Sequence, residues 1–114
     1  MSAEDGVEAL AGRMTALLDA MDGDRDPARF FLGTYLRTTR AVDVAVARGL
    51  FEDPTWVAAW VVDFADRYLA ALRAWRAAAP GVPLPWQLAF GATPGLPPEA
   101  HVLLGMNAHI NYDL

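Results

Sequence analysis

The chain contains no cysteine, no lysine and only one serine, Ser2. Without cysteine there can be no disulfide framework, no cysteine nucleophile and no thiolate metal site. Its absence fits a reducing compartment, and a cytoplasmic location is the expectation. With serine confined to Ser2, serine-nucleophile chemistry is excluded. All nine basic residues are arginine. The lysine avoidance, set beside abundant Ala and Gly, reads as the codon bias of a GC-rich genome rather than as function. There is no excess of positive charge either. The net charge is −5 and the pI about 4.7, which argues against nucleic acid as a partner, because such binders need a basic footprint. Long apolar runs are missing too. The longest spans Trp56 to Val62 and is ended by Asp63, well short of the ~20 residues that cross a bilayer. The opening MSAEDG is acidic and polar, unlike the basic start and apolar core of a secretory signal. Gly-rich phosphate loops, GxSxG and HExxH do not occur.

What is present is apolar and helical. The 114 residues suffice for one domain. Hydrophobic residues make up 54% and charged residues 20%, against about 45–50% and about 25% in average globular chains. A short chain this apolar is expected to carry a self-association surface (a homo-oligomer or a helical partner) or to be part of a larger domain. Val7, Leu10, Met14, Leu17, Leu18 and Met21 recur at spacings of three and four, which predicts a first helix from Ala3 to Met21. Asp26-Pro27 and Asp53-Pro54 each pair an N-cap residue with a proline suited to a first helical turn. They start helices that run to Gly49 and to Pro80. A short helix is expected over Pro85 to Ala92 and a last one from Pro97-Pro98 to Leu114. No period-2 run of β-branched residues predicts a strand. The expected fold is all-α, an antiparallel bundle of four long helices and one short helix.

The last helix holds most of the chemistry. At 100° per residue, Leu103, Ile110 and Leu114 point one way and define an expected buried direction, with His101, Gly105 and Tyr112 facing away. His109 and Asp113 then lie one turn apart on one flank, and Asn107 and Asn111 on the other. Polar groups bordering an apolar seam need partners. A His-x-x-x-Asp pair can present an imidazole and a carboxylate to one divalent metal ion. Gly105, His109 and Asp113 are similar in spacing to the zinc-dependent phospholipase C and P1-nuclease group, so a metal-dependent hydrolase is an alternative. The simpler reading is that Asp113 fixes the tautomer of His109. A second constellation is Arg37 and Arg40 on helix two with Asp63 and Asp66 on helix three. If those helices pack antiparallel, the pairs meet as interhelical ion pairs or line a polar pocket. The aromatics, Trp56, Trp60 and Trp75 among them, read as core.

TYLRTTRAV, FEDPTWV, VVDFADRYLAAL, PWQLAF and HVLLGMNAHINYDL together resemble a family of high-GC bacterial proteins, the domain of unknown function 5995. The resemblance runs from about Phe30 to Leu114. It implies a helical protein whose family domain continues beyond HINYDL, so residues 1–114 are expected to be the N-terminal part of a larger domain, cut off while still in helical register. It implies no activity. The sequence therefore leads to a helical protein with a polar site on its last helix, comprising His109, Asp113, Asn107 and Asn111 with Asp63, Asp66, Arg37 and Arg40 as further candidates. A metal hydrolase with His109 and Asp113 as ligands and a helical protein-interaction module are the alternatives.

Overall fold

Asp53 closes the N-terminus of a helix as its sequence predicts. Its carboxylate accepts a hydrogen bond from the backbone N–H of Trp56 at 3.0 Å, and Pro54 occupies the first helical position. The computed structural model describes residues 3–114, so Ser2 lies outside the described residues. Five helices follow one another: α1 Ala3–Asp24, α2 Arg29–Ala47, α3 Pro54–Arg76, α4 Leu84–Phe90 and α5 Pro98–Met106. The last continues without a break into a π-helical segment, Asn107–Asp113. The protein is all-α, and no strand occurs among the described residues.

Boundaries shift from expectation where local bonds decide them. Helix α2 begins at Arg29 rather than at Pro27, because Asp26 accepts from the Ala28 N–H at 2.9 Å and turns the chain first. It ends before Gly49, which takes the positive φ of +70° that favours glycine.

Helix α1 lies against both α2 and α3, which meet each other over only a few residues. Val7, Leu10, Met14 and Met21 of its predicted stripe are fully buried there. On the other side, α4, α5 and the π segment close over α2 and α3. The core joins Phe31, Leu32 and Leu36 of α2 with Ala65, Tyr68, Leu69 and Leu72 of α3 and with Trp86 of α4.

The radius of gyration is 14.4 Å, with extents of 41 × 27 × 22 Å. A compact domain of this length has about 13 Å. The elongation raises surface relative to volume, and large apolar side chains remain outside. Trp56, Trp60 and Trp75, expected in the core, are exposed.

The expected inward face of the last helix is also reversed. Leu103, Ile110 and Leu114 are 64%, 47% and 69% exposed, whereas His101, Gly105, Ala108 and His109 are buried. The cause is size. Gly105 and Ala108 let this helix approach α2 and α3 more closely than leucine would. A Cβ built on Gly105 would lie 2.9 Å from Phe31 Cβ.

Candidate functional site

A polar residue inside a core stripe must find a partner, and Tyr35 is such a residue. It sits on α2 between Phe31 and Thr39, both buried. Its hydroxyl lies 2.7 Å from His109 Nε2. His109 Nδ1 lies 2.8 Å from Asp113 Oδ2, and Trp86 Nε1 donates to that same oxygen at 3.0 Å. The directions follow from the end of the chain. An indole N–H only donates, so Asp113 accepts from Trp86 and from the Nδ1–H of His109. Nε2 is then left to accept from the Tyr35 hydroxyl.

The π-helical segment makes this possible. Its i to i+5 bonding, seen where Leu114 N donates to His109 O at 3.2 Å, widens the turn and narrows the angle between successive side chains. Neighbouring Ala108 and His109 are both buried as a result. Wide turns of this kind are rare and concentrate at functional sites.

The network ties α2, α4 and the π segment together, and α3 joins it through an aromatic face. Phe64 stacks on the His109 imidazole with ring centroids 3.7 Å apart and planes 11° from parallel. Phe64 stacks in turn on Trp60 at 5.1 Å, and Trp60 on Trp56 at 6.4 Å. A ladder of rings thus rises from a buried imidazole to an exposed indole.

His109 is 3% exposed. Burial lowers its pKa below the usual 6.5, against the smaller upward pull of Asp113. Burial likewise holds the Tyr35 and Tyr68 hydroxyls well above the usual phenol range. Below pH 6.5 the unfolded chain binds a proton that the folded His109 refuses, so this group removes stability as pH falls. The contribution is fully present above 6.5 and declines by up to about 1.4 kcal/mol per pH unit between 6.5 and the lower folded pKa. Urea unfolding across that window should show the decline, with the His109 Hε1 resonance titrating below 6.5. A His109 that titrates at or above 6.5 would mean an imidazolium–carboxylate pair instead.

The other sequence candidates separate. Asn107 and Asn111 are exposed, and Asn111 donates to Asn107 at 2.9 Å. Asp63 is exposed. Asp66 pairs with Arg13 of α1 at 3.0 Å, and Arg40 donates to Thr15 of α1 at 2.9 Å. Arg37 donates to Thr34 on its own helix. The expected clamp between helices two and three does not form, because α1 lies against both and takes up the polar contacts. Among the described residues, no three His, Asp or Glu side chains gather to hold a metal ion. Both nitrogens of His109 are already engaged, so a cation would have to displace Tyr35 or Asp113.

Local sequence patterning does not set Tyr35, Phe64 and Trp86 apart from the other aromatics, which read as core. The signals that mark them are the polar tip of Tyr35 on a core stripe and the isolation of Trp86 within the short PWQLAF helix.

Two further features lie near the network. Tyr68 Oη and His101 Nε2 are buried without a partner, and both residues line a small cavity of about 10 Å³, room for about one water. Asp113 and Trp86 also form part of an open cleft of about 240 Å³.

No curated protein and no solved structure matches the chain. The family model for the family of unknown function DUF5995 matches residues 7–114. That match spans nearly all of the sequence, and the chain belongs to the DUF5995 family.

Proposed function

We propose that this chain is a helical interaction module that associates with a second copy of itself through the aromatic ladder and the outward side of its last helix. The observation that carries this reading is the exposed ladder. Trp56 is 62% exposed, yet it is held in a stacked series that ends on a buried, hydrogen-bonded imidazole. An indole fixed in place binds with less loss of side-chain freedom than a mobile one, and Trp is a preferred interface anchor.

The last helix adds Leu103, Met106, Ile110, Tyr112 and Leu114, all exposed. These five side chains with Trp56 and Trp60 leave on the order of 700 Å² in the open. A standard interface takes about 800 Å² per partner, and scattered single exposures would not approach it. The apolar surplus in the composition points the same way.

In this reading the Tyr35–His109–Asp113–Trp86 network positions the ladder and performs no chemistry. Neither His109 nor Tyr35 lines any of the clefts described above.

Sedimentation equilibrium tests the proposal. The wild-type chain should weigh as a dimer at high concentration, and the double variant Trp56→Ser/Trp60→Ser should weigh as a monomer with an unchanged helical circular dichroism spectrum. A wild-type chain that stays monomeric throughout overturns it.

A further inference from the structure

A small cleft opens beside the network, lined in part by its Trp86 and Asp113. Arg67, Ala70, Ala71 and Ala74 of α3 form one wall. Gly81, Val82 and Pro83 form the opposite wall, with Trp86 and Asp113 also lining it. The volume is about 240 Å³. Three alanines and a glycine make that room, since larger side chains would fill it.

Two opposite charges face this space without meeting. Asp113 has a side chain only 7% exposed. Both of its hydrogen bonds, from Trp86 and His109, arrive at Oδ2. Oδ1 receives neither bond, and it is not among the buried unpartnered atoms, so it is open to the cleft. Arg67 is exposed. Among the described residues no hydrogen bond or ion pair engages its guanidinium, and it makes no salt bridge to Asp113. One open oxygen of an otherwise buried carboxylate and a free guanidinium thus line one small cleft, where a ligand of complementary charge would engage both.

We propose that this cleft binds a small zwitterion of the free amino acid class, its ammonium group on Asp113 Oδ1 and its carboxylate on Arg67. The size suits a ligand with a short side chain against the alanine wall. Asp113 is well placed for the cationic end, because Trp86 and His109 fix its carboxylate and leave one oxygen to face outward. Arg67 suits the carboxylate end, since a guanidinium offers two parallel N–H groups to a planar anion.

The test is a nuclear magnetic resonance titration of the labelled full chain with glycine, in parallel with acetate and methylammonium. Glycine should shift the Trp86 indole N–H and the amides of Ala71 and Ala74 along saturating curves. Acetate and methylammonium, each engaging one end only, should bind at least about ten-fold more weakly, the loss of one charge-assisted contact. Arg67→Ala, at an exposed position, should weaken glycine by a similar factor without disturbing the fold, and Asp113→Asn, which removes the charge but keeps the shape, should weaken it likewise. Acetate binding as well as glycine would reduce the cleft to a plain anion site at Arg67 and overturn the proposal. An absence of glycine-induced shifts would overturn it too. The monomeric Trp56→Ser/Trp60→Ser variant should still bind glycine, so this site and the self-association face stand or fall separately.

Discussion

His109→Ala should lose about 3–5 kcal/mol of folding stability, a large share of the roughly 5–15 kcal/mol that a native domain possesses. Three losses combine. The imidazole leaves a hole among Phe64, Tyr35 and Trp86, whose rings lie 3.7, 4.9 and 5.8 Å from it, and large-to-small changes in such surroundings carry a transfer term and a cavity term. The Tyr35 hydroxyl loses its acceptor. The Asp113 carboxylate, nearly buried, keeps only the Trp86 donor, and a buried charge deprived of a partner is costly. Urea unfolding monitored by circular dichroism measures the loss. The indole N–H resonance of Trp86 gives a local reading, because its acceptor moves when His109 goes. Asp113→Asn separates charge from shape. The amide oxygen can still accept from both Trp86 and His109, so this variant should lose markedly less than His109→Ala. A His109→Ala chain as stable as wild type would mean that the network closes nothing.

The elements and the chemistry of this fold were legible to different degrees, for physical reasons. Helix existence was plain, because Val7, Leu10, Met14 and Met21 or Tyr68 and Leu72 repeat at helical spacing against polar neighbours. Asp53-Pro54 announced its helix start by capping chemistry that acts within one turn. His109 and Asp113 were legible as a pair because their contact spans only four residues. Their partners were not, since Tyr35 lies 74 residues from His109 and Trp86 lies 27 from Asp113, and no local rule joins such positions. The orientation of the last helix was misread for a different reason. VLLGM is apolar on every side, so periodicity offers no face, and large residues were assumed to turn inward. Close packing instead selected Gly105 and Ala108, whose small size brings backbones together. The Arg37, Arg40, Asp63 and Asp66 clamp failed on topology. It requires helices two and three to pack directly against each other, whereas α1 lies against both and supplies Arg13 and Thr15 as the partners actually used.

Gly105→Ala should lose about 2 kcal/mol, although the same change in an open helix gains stability. The opposing terms can be set against each other. Alanine is better than glycine in a helix interior by about 0.5–1 kcal/mol. At Gly12 in α1 nothing lies within 4 Å of an added Cβ, so Gly12→Ala should show that gain alone. At Gly105 the added methyl would overlap Phe31 Cγ and lie 2.5 Å from Cδ1 and 2.9 Å from Cβ. The Phe31 Cβ cannot swing away, because it is fixed to the backbone of α2. The ring cannot rotate freely either, being packed at 5.6 Å from Tyr35, 5.2 Å from Tyr68 and 5.9 Å from Trp86. The strain must therefore move α5 away from α2, and overpacking of this kind costs about 1–3 kcal/mol. With the backbone forced apart, the upper end applies and exceeds the gain in helix propensity. The displacement reaches function through His109, four residues further along the same helix, whose 2.7 Å bond to Tyr35 crosses that interface. Chemical denaturation of both glycine variants decides the matter by sign. If Gly105→Ala stabilises as Gly12→Ala does, the last helix does not approach Phe31 closely and the hydrogen bond from Tyr35 to His109 loses its structural basis.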